Sequence, residues 1–217
     1  MRADMHTHSL LSDGELVPAE LVRRAAVKRH DAIAITDHVD MTNVEYVVTN
    51  IVKAAELSDE SIRVIPGVEV THVPPSKMAA VIKKAKELGA QWIVVHGETV
   101  TEPVMKGTNR AAAKNPDVNV LAHPGFITEK DAQTAVDNGV ILEVTGRSWH
   151  NITNGYVAEM ARKVNAKVLI NSDAHGPNDL MTEDMAMDVA LGAGMTKKEA
   201  VRAINTIPAE ILKKLDL

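Results

Sequence analysis

Met5-His6-Thr7-His8-Ser9-Leu10-Leu11-Ser12-Asp13-Gly14 places two histidines one residue apart near the start of the chain, with a carboxylate five residues beyond the second. In an extended strand, residues i and i+2 face the same way, so His6 and His8 can reach one metal ion together. Taken alone, such a pair reads equally well as two surface histidines. Near the other end, Lys167-Val168-Leu169-Ile170-Asn171-Ser172-Asp173-Ala174-His175 repeats the design: an apolar run, then Asp173 and His175 at i and i+2. The chain between them reads as a scaffold that brings the two ends together.

That scaffold has a regular rhythm. Short β-prone or apolar segments recur around Ala3 to His6, Ala32 to Thr36, Val64 to Val70, Trp92 to His96, Val118 to Ala122, Val140 to Val144 and Lys167 to Asn171. Helix-like stretches alternate with them, the pattern of βα units and a mainly parallel sheet. Pro18 fits a first helical position, Ser76 opens a run that Gly89 closes, and Thr128 precedes one ended by Gly139. Thr196 and Glu199 form a capping-box pattern, and Pro208 is expected to start a last short helix. Asn43 to Leu57 reads as helix against the strand preference of its valines and Thr49. The expectation is an α/β fold, a distorted seven-stranded (β/α) barrel of the TIM-like kind, forming one domain over residues 1–217.

Composition narrows the function classes. The 217 residues are 45% hydrophobic, enough for one sizeable core, and no Gly/Ser-rich linker divides them. A net charge of -5 with scattered basic residues offers no stripe for duplex nucleic acid, and 2% aromatic content leaves little for base stacking. Stable duplex binding is therefore not expected. No apolar run approaches membrane-spanning length and no signal segment precedes the first motif, so a soluble, cytoplasmic protein is expected. With no cysteine, histidine and carboxylate are the strong metal ligands on offer.

These residues gather at the strand ends. His6 and His8 follow the first strand, Asp37 and His38 the second, Glu69 ends the third, His96 the fourth, His123 follows the fifth, and Asp173 and His175 the seventh. The sixth offers Glu143, Thr145 and Arg147 instead. In a parallel barrel these ends converge on one mouth. With Asp13, nine ligands result: His6, His8, Asp13, His38, Glu69, His96, His123, Asp173 and His175. A catalytic ion with an open position uses three protein ligands, so nine imply several ions, with three a natural division. The imidazole and carboxylate mixture suits Zn, Mn or Fe. Three ionised carboxylates and three divalent ions net about +3, which attracts a phosphate dianion and favours phosphoester hydrolysis by metal-bound hydroxide.

His6-Thr7-His8, Thr36-Asp37-His38, Pro66-Gly67-Val68-Glu69, His96-Gly97-Glu98, Leu121-Ala122-His123-Pro124 and Ser172-Asp173-Ala174-His175 resemble, in order, the motifs of the PHP (polymerase and histidinol phosphatase) family. The resemblance implies a trinuclear centre at the mouth of a distorted barrel. One ion would take His6, His8, Glu69 and Asp173, a second Glu69, His96 and His123, and a third Asp13, His38 and His175. It also implies a phosphatase of a small phosphorylated substrate, of the histidinol phosphatase kind. A nucleotide phosphatase or oligonucleotide exonuclease of the same family and a non-catalytic PHP subunit are the alternatives. An amidohydrolase also begins with HxH but usually needs lysine where His96 stands.

Around the ligands, Asp37 is assigned to orientation or proton transfer. Arg147, in the loop after the ligand-poor sixth strand, is expected to grip a phosphate bidentately as a catalytic and substrate-binding residue, with His150 and Arg110 as further substrate contacts and Lys106 a weaker one. His72 divides between pocket lining and plain surface, and His30 sits at a helix end where a cation suits the dipole.

Overall fold

The computed structural model describes residues 1–216. Its strands are β1 (Ala3–Thr7), β2 (Ala32–Ile35), β3 (His38–Val39), β4 (Arg63–Val70), β5 (Trp92–His96), β6 (Val120–Ala122), β7 (Ile141–Thr145) and β8 (Val168–Asn171). They pair in parallel in the order β1-β2-β4-β5-β6-β7-β8, with β3 also on β4. Since β3 resumes the direction of β2 after Thr36 and Asp37, the sheet has the seven staves expected of a distorted (β/α)7 barrel, one of them broken. Burial on both faces explains why runs such as Ala32–Ile35 are apolar throughout rather than alternating.

Closure between β1 and β8 is only partly a backbone ladder. A parallel bridge joins Thr7 and Ala174, and the His8 and Asp173 amides donate to the Ala174 and His6 carbonyls at 2.8 and 3.0 Å. Lower down, side chains take over. The Arg2 guanidinium donates to the Ile170 carbonyl (3.0 Å), and the Asn171 amide oxygen accepts from the Met5 N–H (3.1 Å). The barrel interior holds small residues such as Ala32, Ala34 and Ala122 around Met5, Ile65 and Trp92, whose indole N–H donates to the Met5 carbonyl at 3.0 Å.

The helices are α1 (Pro18–Val27), α2 (Val44–Ala54), α3 (Pro75–Glu87), α4 (Thr108–Ala113), α5 (Glu129–Asp137), α6 (Asn154–Val164), α7 (Glu183–Gly192), α8 (Lys197–Val201) and α9 (Ile207–Lys214). α2 forms despite its valines because Val44, Val47, Val48 and Ile51 fall on one face and are buried. The Thr128 cap and the Thr196–Glu199 capping box are present, whereas α3 starts at Pro75 without a side-chain cap. Pro208 lies in the first turn of α9, as expected. A wide π turn at Arg202–Thr206 carries α8 into α9 and relieves the clash that a proline ring makes with the carbonyl four residues back. Ile207, Ile211 and Leu212 of α9 then pack into the interior cluster opposite the strand ends that carry the histidines.

Candidate metal centre

A bulge in β1 decides where the first two histidines point. Ala3 and Asp4 pair with Ala32 and Ile33, but Thr7 pairs with Ile35, so β1 holds one residue more than β2 over this interval. Ala3 and Met5 belong to the barrel interior, and unbroken alternation would turn His6 and His8 outward. The extra residue restores the inward face at His6 and His8.

Glu69, fully buried on β4, is the centre of the site. One carboxylate oxygen lies 3.2 Å from His6 Nε2, 3.4 Å from His8 Nε2 and 3.1 Å from His38 Nδ1, and the other 3.6 Å from His123 Nε2. Neither oxygen has a hydrogen bond, because these contacts are close without being aligned. Asp173 approaches His8 Nε2 at 3.1 Å, His175 Nδ1 at 3.5 Å and His123 Nε2 at 3.5 Å. Asp13 reaches His38 and His175 Nε2 at 3.5 and 3.3 Å. The Nε2 atoms of His6 and His8 converge to 3.1 Å. Backbone strain concentrates here: His72, His123, Trp149 and Asp173 have φ of 53°, 27°, 71° and 53°, a region costly for residues with a Cβ.

Charge follows burial and partner. Burial opposes charge on His38, but Glu69 and Asp13 outweigh it and hold the imidazole up to about 10. Burial pushes the Asp173 carboxyl up to about 7. His8 and His123 are held well below the ordinary histidine range by burial and by neighbouring imidazoles, which leaves them neutral and able to ligate.

Glu143 is the residue that sequence reasoning left without a role. Buried on β7, it accepts from His6 Nδ1–H (2.8 Å), the Asn171 amide (2.8 Å) and the His123 backbone N–H (3.1 Å). It thus holds the proton on His6 Nδ1 and leaves Nε2, the nitrogen facing Glu69, as the ligand atom. An acid within an otherwise apolar strand was the available signal.

All nine sequence-selected residues meet around one cavity of about 300 Å³ or in the layer beneath it. Ligand-type atoms lie within 4.8 Å of one another in the groups His6-His8-Glu69, His6-His123-Asp173 and His8-Asp13-His38-His175. His96 differs from expectation, because it meets Glu102 at 3.0 Å rather than Glu69 and groups with His123 and His150. Arg147 lines the cavity, 3.6 Å from Asp179, and His72 and His150 line it too. Arg110 does not: it is exposed on α4 and donates to Asp131 at 2.9 Å, and Lys106 is likewise outside the lining. Asp37 points away from the cavity. It accepts from the Ser9 N–H and hydroxyl and from the Ser12 hydroxyl at 2.7–2.8 Å, which orients the loop carrying Asp13, and Ser12 in turn lines the cavity. His30 is buried away from the site, against the Ala25 carbonyl.

The donor set fits metal ions. Unaligned carboxylates and neutral imidazoles crowd together where a hydrogen-bonded core would pair them, and Glu69 offers two buried oxygens without a protein donor. A parallel barrel with this ordered set at its strand ends defines a PHP-type fold, and the chain belongs to the PHP domain family, which matches residues 4–115. Over 219 aligned positions it is 51% identical to an uncharacterized protein of Methanocaldococcus jannaschii, covering 99% of this chain and all of that one. Ribonuclease P protein component 3 of Methanosarcina mazei is 29% identical over 72% of this chain and 69% of its own length. A Listeria monocytogenes crystal structure, provisionally assigned as a histidinol phosphatase, superposes with a TM-score of 0.62 at 12% identity, over 82% of this chain and 97% of that one. Similarity to a ribonuclease P component gives no support to the expectation that duplex nucleic acid is not bound. Among the described residues no helix is long and apolar enough to cross a membrane.

Proposed function

We propose that the chain is a metal-dependent phosphoesterase that hydrolyses a small phosphomonoester. The observation that carries this reading is Glu69: a buried carboxylate with no hydrogen bond to either oxygen, ringed by His6, His8, His38 and His123 beside an open cavity. Leaving both oxygens of a buried carboxylate without an aligned donor costs about 1–3 kcal/mol or more, which a purely structural barrel has no reason to retain. His6, His8, Glu69 and Asp173, then Glu69 with His96 and His123, then Asp13 with His38 and His175 would hold up to three divalent ions, of Zn, Mn or Fe character. Such ions, when bound, neutralise phosphoryl oxygens and lower the pKa of a water.

The protein's own groups do the rest. Glu143 and Asp37 position ligands without touching substrate. Arg147, two-thirds buried at the rim, presents a planar fork to phosphoryl oxygens, and its neighbour Asp179 accepts from the His175 N–H at 3.0 Å, tying the fork to the ligand loop. A cavity of about 300 Å³ suits a phosphoryl group with a small leaving group or the end of a nucleotide.

A second reading, a protein component of a ribonuclease P-like particle, is favoured by the Methanosarcina mazei similarity. The two part in one experiment. The protein is stripped with chelator, reloaded with Mn or Zn, and assayed on phosphomonoesters, nucleotides and oligonucleotides. Hydrolysis that vanishes on stripping and returns on reloading supports the enzyme. Metal-loaded protein that hydrolyses none of them, yet binds RNA, supports the component.

A further inference from the structure

Beyond the nine residues stands a second cluster, contributed by loops. Glu102, in the β5–α4 loop, places one carboxylate oxygen 3.0 Å from His96 Nε2 and 3.7 Å from His72 Nε2, and the other 3.1 Å from His150 Nε2. His96 Nδ1–H donates to the Gly97 carbonyl at 3.1 Å, which leaves Nε2, the nitrogen facing Glu102, as the ligand atom. The rings of His96, His123 and His150 stand edge to face, with His123 centred 4.5 Å from His96 and 4.4 Å from His150, and their ligand-type nitrogens fall within 4.8 Å of one another.

Two features mark this as built. The His150 ring is 92% buried, with a side-chain exposure of 8%, and its Nδ1 has no hydrogen-bond partner. To turn that ring inward, Trp149 adopts φ 71° and leaves its own indole 74% exposed. The root of the loop is equally determined: Glu98 accepts from the Gly107 and Asn109 N–H groups at 2.9 Å each, and the Asn109 amide donates to the Pro124 carbonyl at 2.8 Å. This anchoring holds Glu102 over His96 although the loop between is irregular and partly exposed.

We infer that Glu102 and His150 are metal ligands in addition to the nine, and that with His96 and His123 they enclose one divalent ion. The inference rests on the metal-dependent reading above. Joined to the Glu69, His96 and His123 set named above, Glu102 and His150 bring that ion to five protein ligands, three imidazoles and two carboxylates, and leave no open position. That ion would pin the β5–α4 loop as a structural element, and substrate would meet the groups around His6, His8, Asp13, His38, Glu69, Asp173 and His175.

The test counts zinc. Full-length protein is stripped, reloaded with Zn(II), dialysed against increasing chelator and analysed for zinc, alongside Glu102→Gln and His150→Asn. The expected result is that each variant releases one ion per chain at chelator levels at least about tenfold below wild type, the size seen when even an outer-sphere partner of a ligand is lost. Limited proteolysis should then cut between Thr99 and Met105 in the variants as in stripped wild type. Glu102 is partly exposed on a loop, so Glu102→Gln decides the matter if His150→Asn fails to fold. Identical zinc retention in Glu102→Gln and wild type overturns this inference alone. A wild type that retains no zinc overturns it together with the metal-dependent reading.

Discussion

Glu143→Gln keeps the shape of the buried residue and removes one of its two acceptor oxygens. Three donors converge on that carboxylate: His6 Nδ1–H, the Asn171 amide and the His123 backbone N–H. A glutamine accepts with one oxygen and presents N–H to whatever faces the other. Asn171 cannot compensate by flipping, because its amide oxygen already accepts from the Met5 N–H in the β1–β8 closure. At least one buried donor is left unpaired, a cost of about 1–3 kcal/mol. For a chain of this size that corresponds to a melting-temperature loss of roughly 2–12 °C. His6 also loses the partner that fixes its tautomer, which lowers metal affinity by about 10- to 100-fold, or roughly 1.4–2.8 kcal/mol. Urea denaturation of stripped protein reads the first effect, and zinc retention against a graded chelator the second. Unchanged values in both would refute the role given to Glu143.

Arg147→Ala is expected to keep full metal content and to lower kcat/KM for a phosphomonoester by about 2–4 kcal/mol, with Arg147→Lys recovering part of it; wild-type kinetics in the alanine variant would place Arg147 outside the reaction. In stripped protein, Glu69 and Asp13 overcome burial and hold His38 up to about 10, against 6.5 when unfolded, so its contribution to stability is complete below about pH 6.5 and is lost as pH rises toward 10. The melting temperature of stripped protein should therefore fall across that window and that of loaded protein fall less, because ligands to an ion are already deprotonated; parallel profiles would contradict this. Gly97→Ala would set a Cβ 2.3 Å from the Ala122 carbonyl oxygen and 2.7 Å from Pro124 Cα, both rigid backbone, so a loss of about 1–3 kcal/mol or more is expected by chemical denaturation, and a wild-type midpoint would argue against the close approach of the His96 and His123 loops.

The barrel and most of its mouth were legible because a parallel sheet writes its strands as short apolar runs and its site at their ends. His38, His96 and His123 each stand where such a run stops. What escaped depended on geometry that residue types do not encode. The β1 bulge that turns His6 and His8 inward is a property of pairing with β2, invisible along one strand. Glu143 lies inside a strand rather than after it. Glu102 sits in an irregular loop whose path is set by Glu98 and Asn109. Arg110 looked equivalent to Arg147 because both follow strands, yet α4 carries it outward to Asp131. Pro208 did mark the start of α9, but the π turn that joins it to α8 left no local signal.

The central claim is that the strand-end cluster holds metal. Anomalous diffraction from crystals of protein loaded with Zn or Mn tests it most directly. Two or three peaks within the cavity are expected, at about 2.0–2.3 Å from the imidazole nitrogens and carboxylates grouped around Glu69, Asp173 and Asp13. Fully loaded crystals with no peak within that distance of His6, His8, His38, His123 or His175 would contradict it.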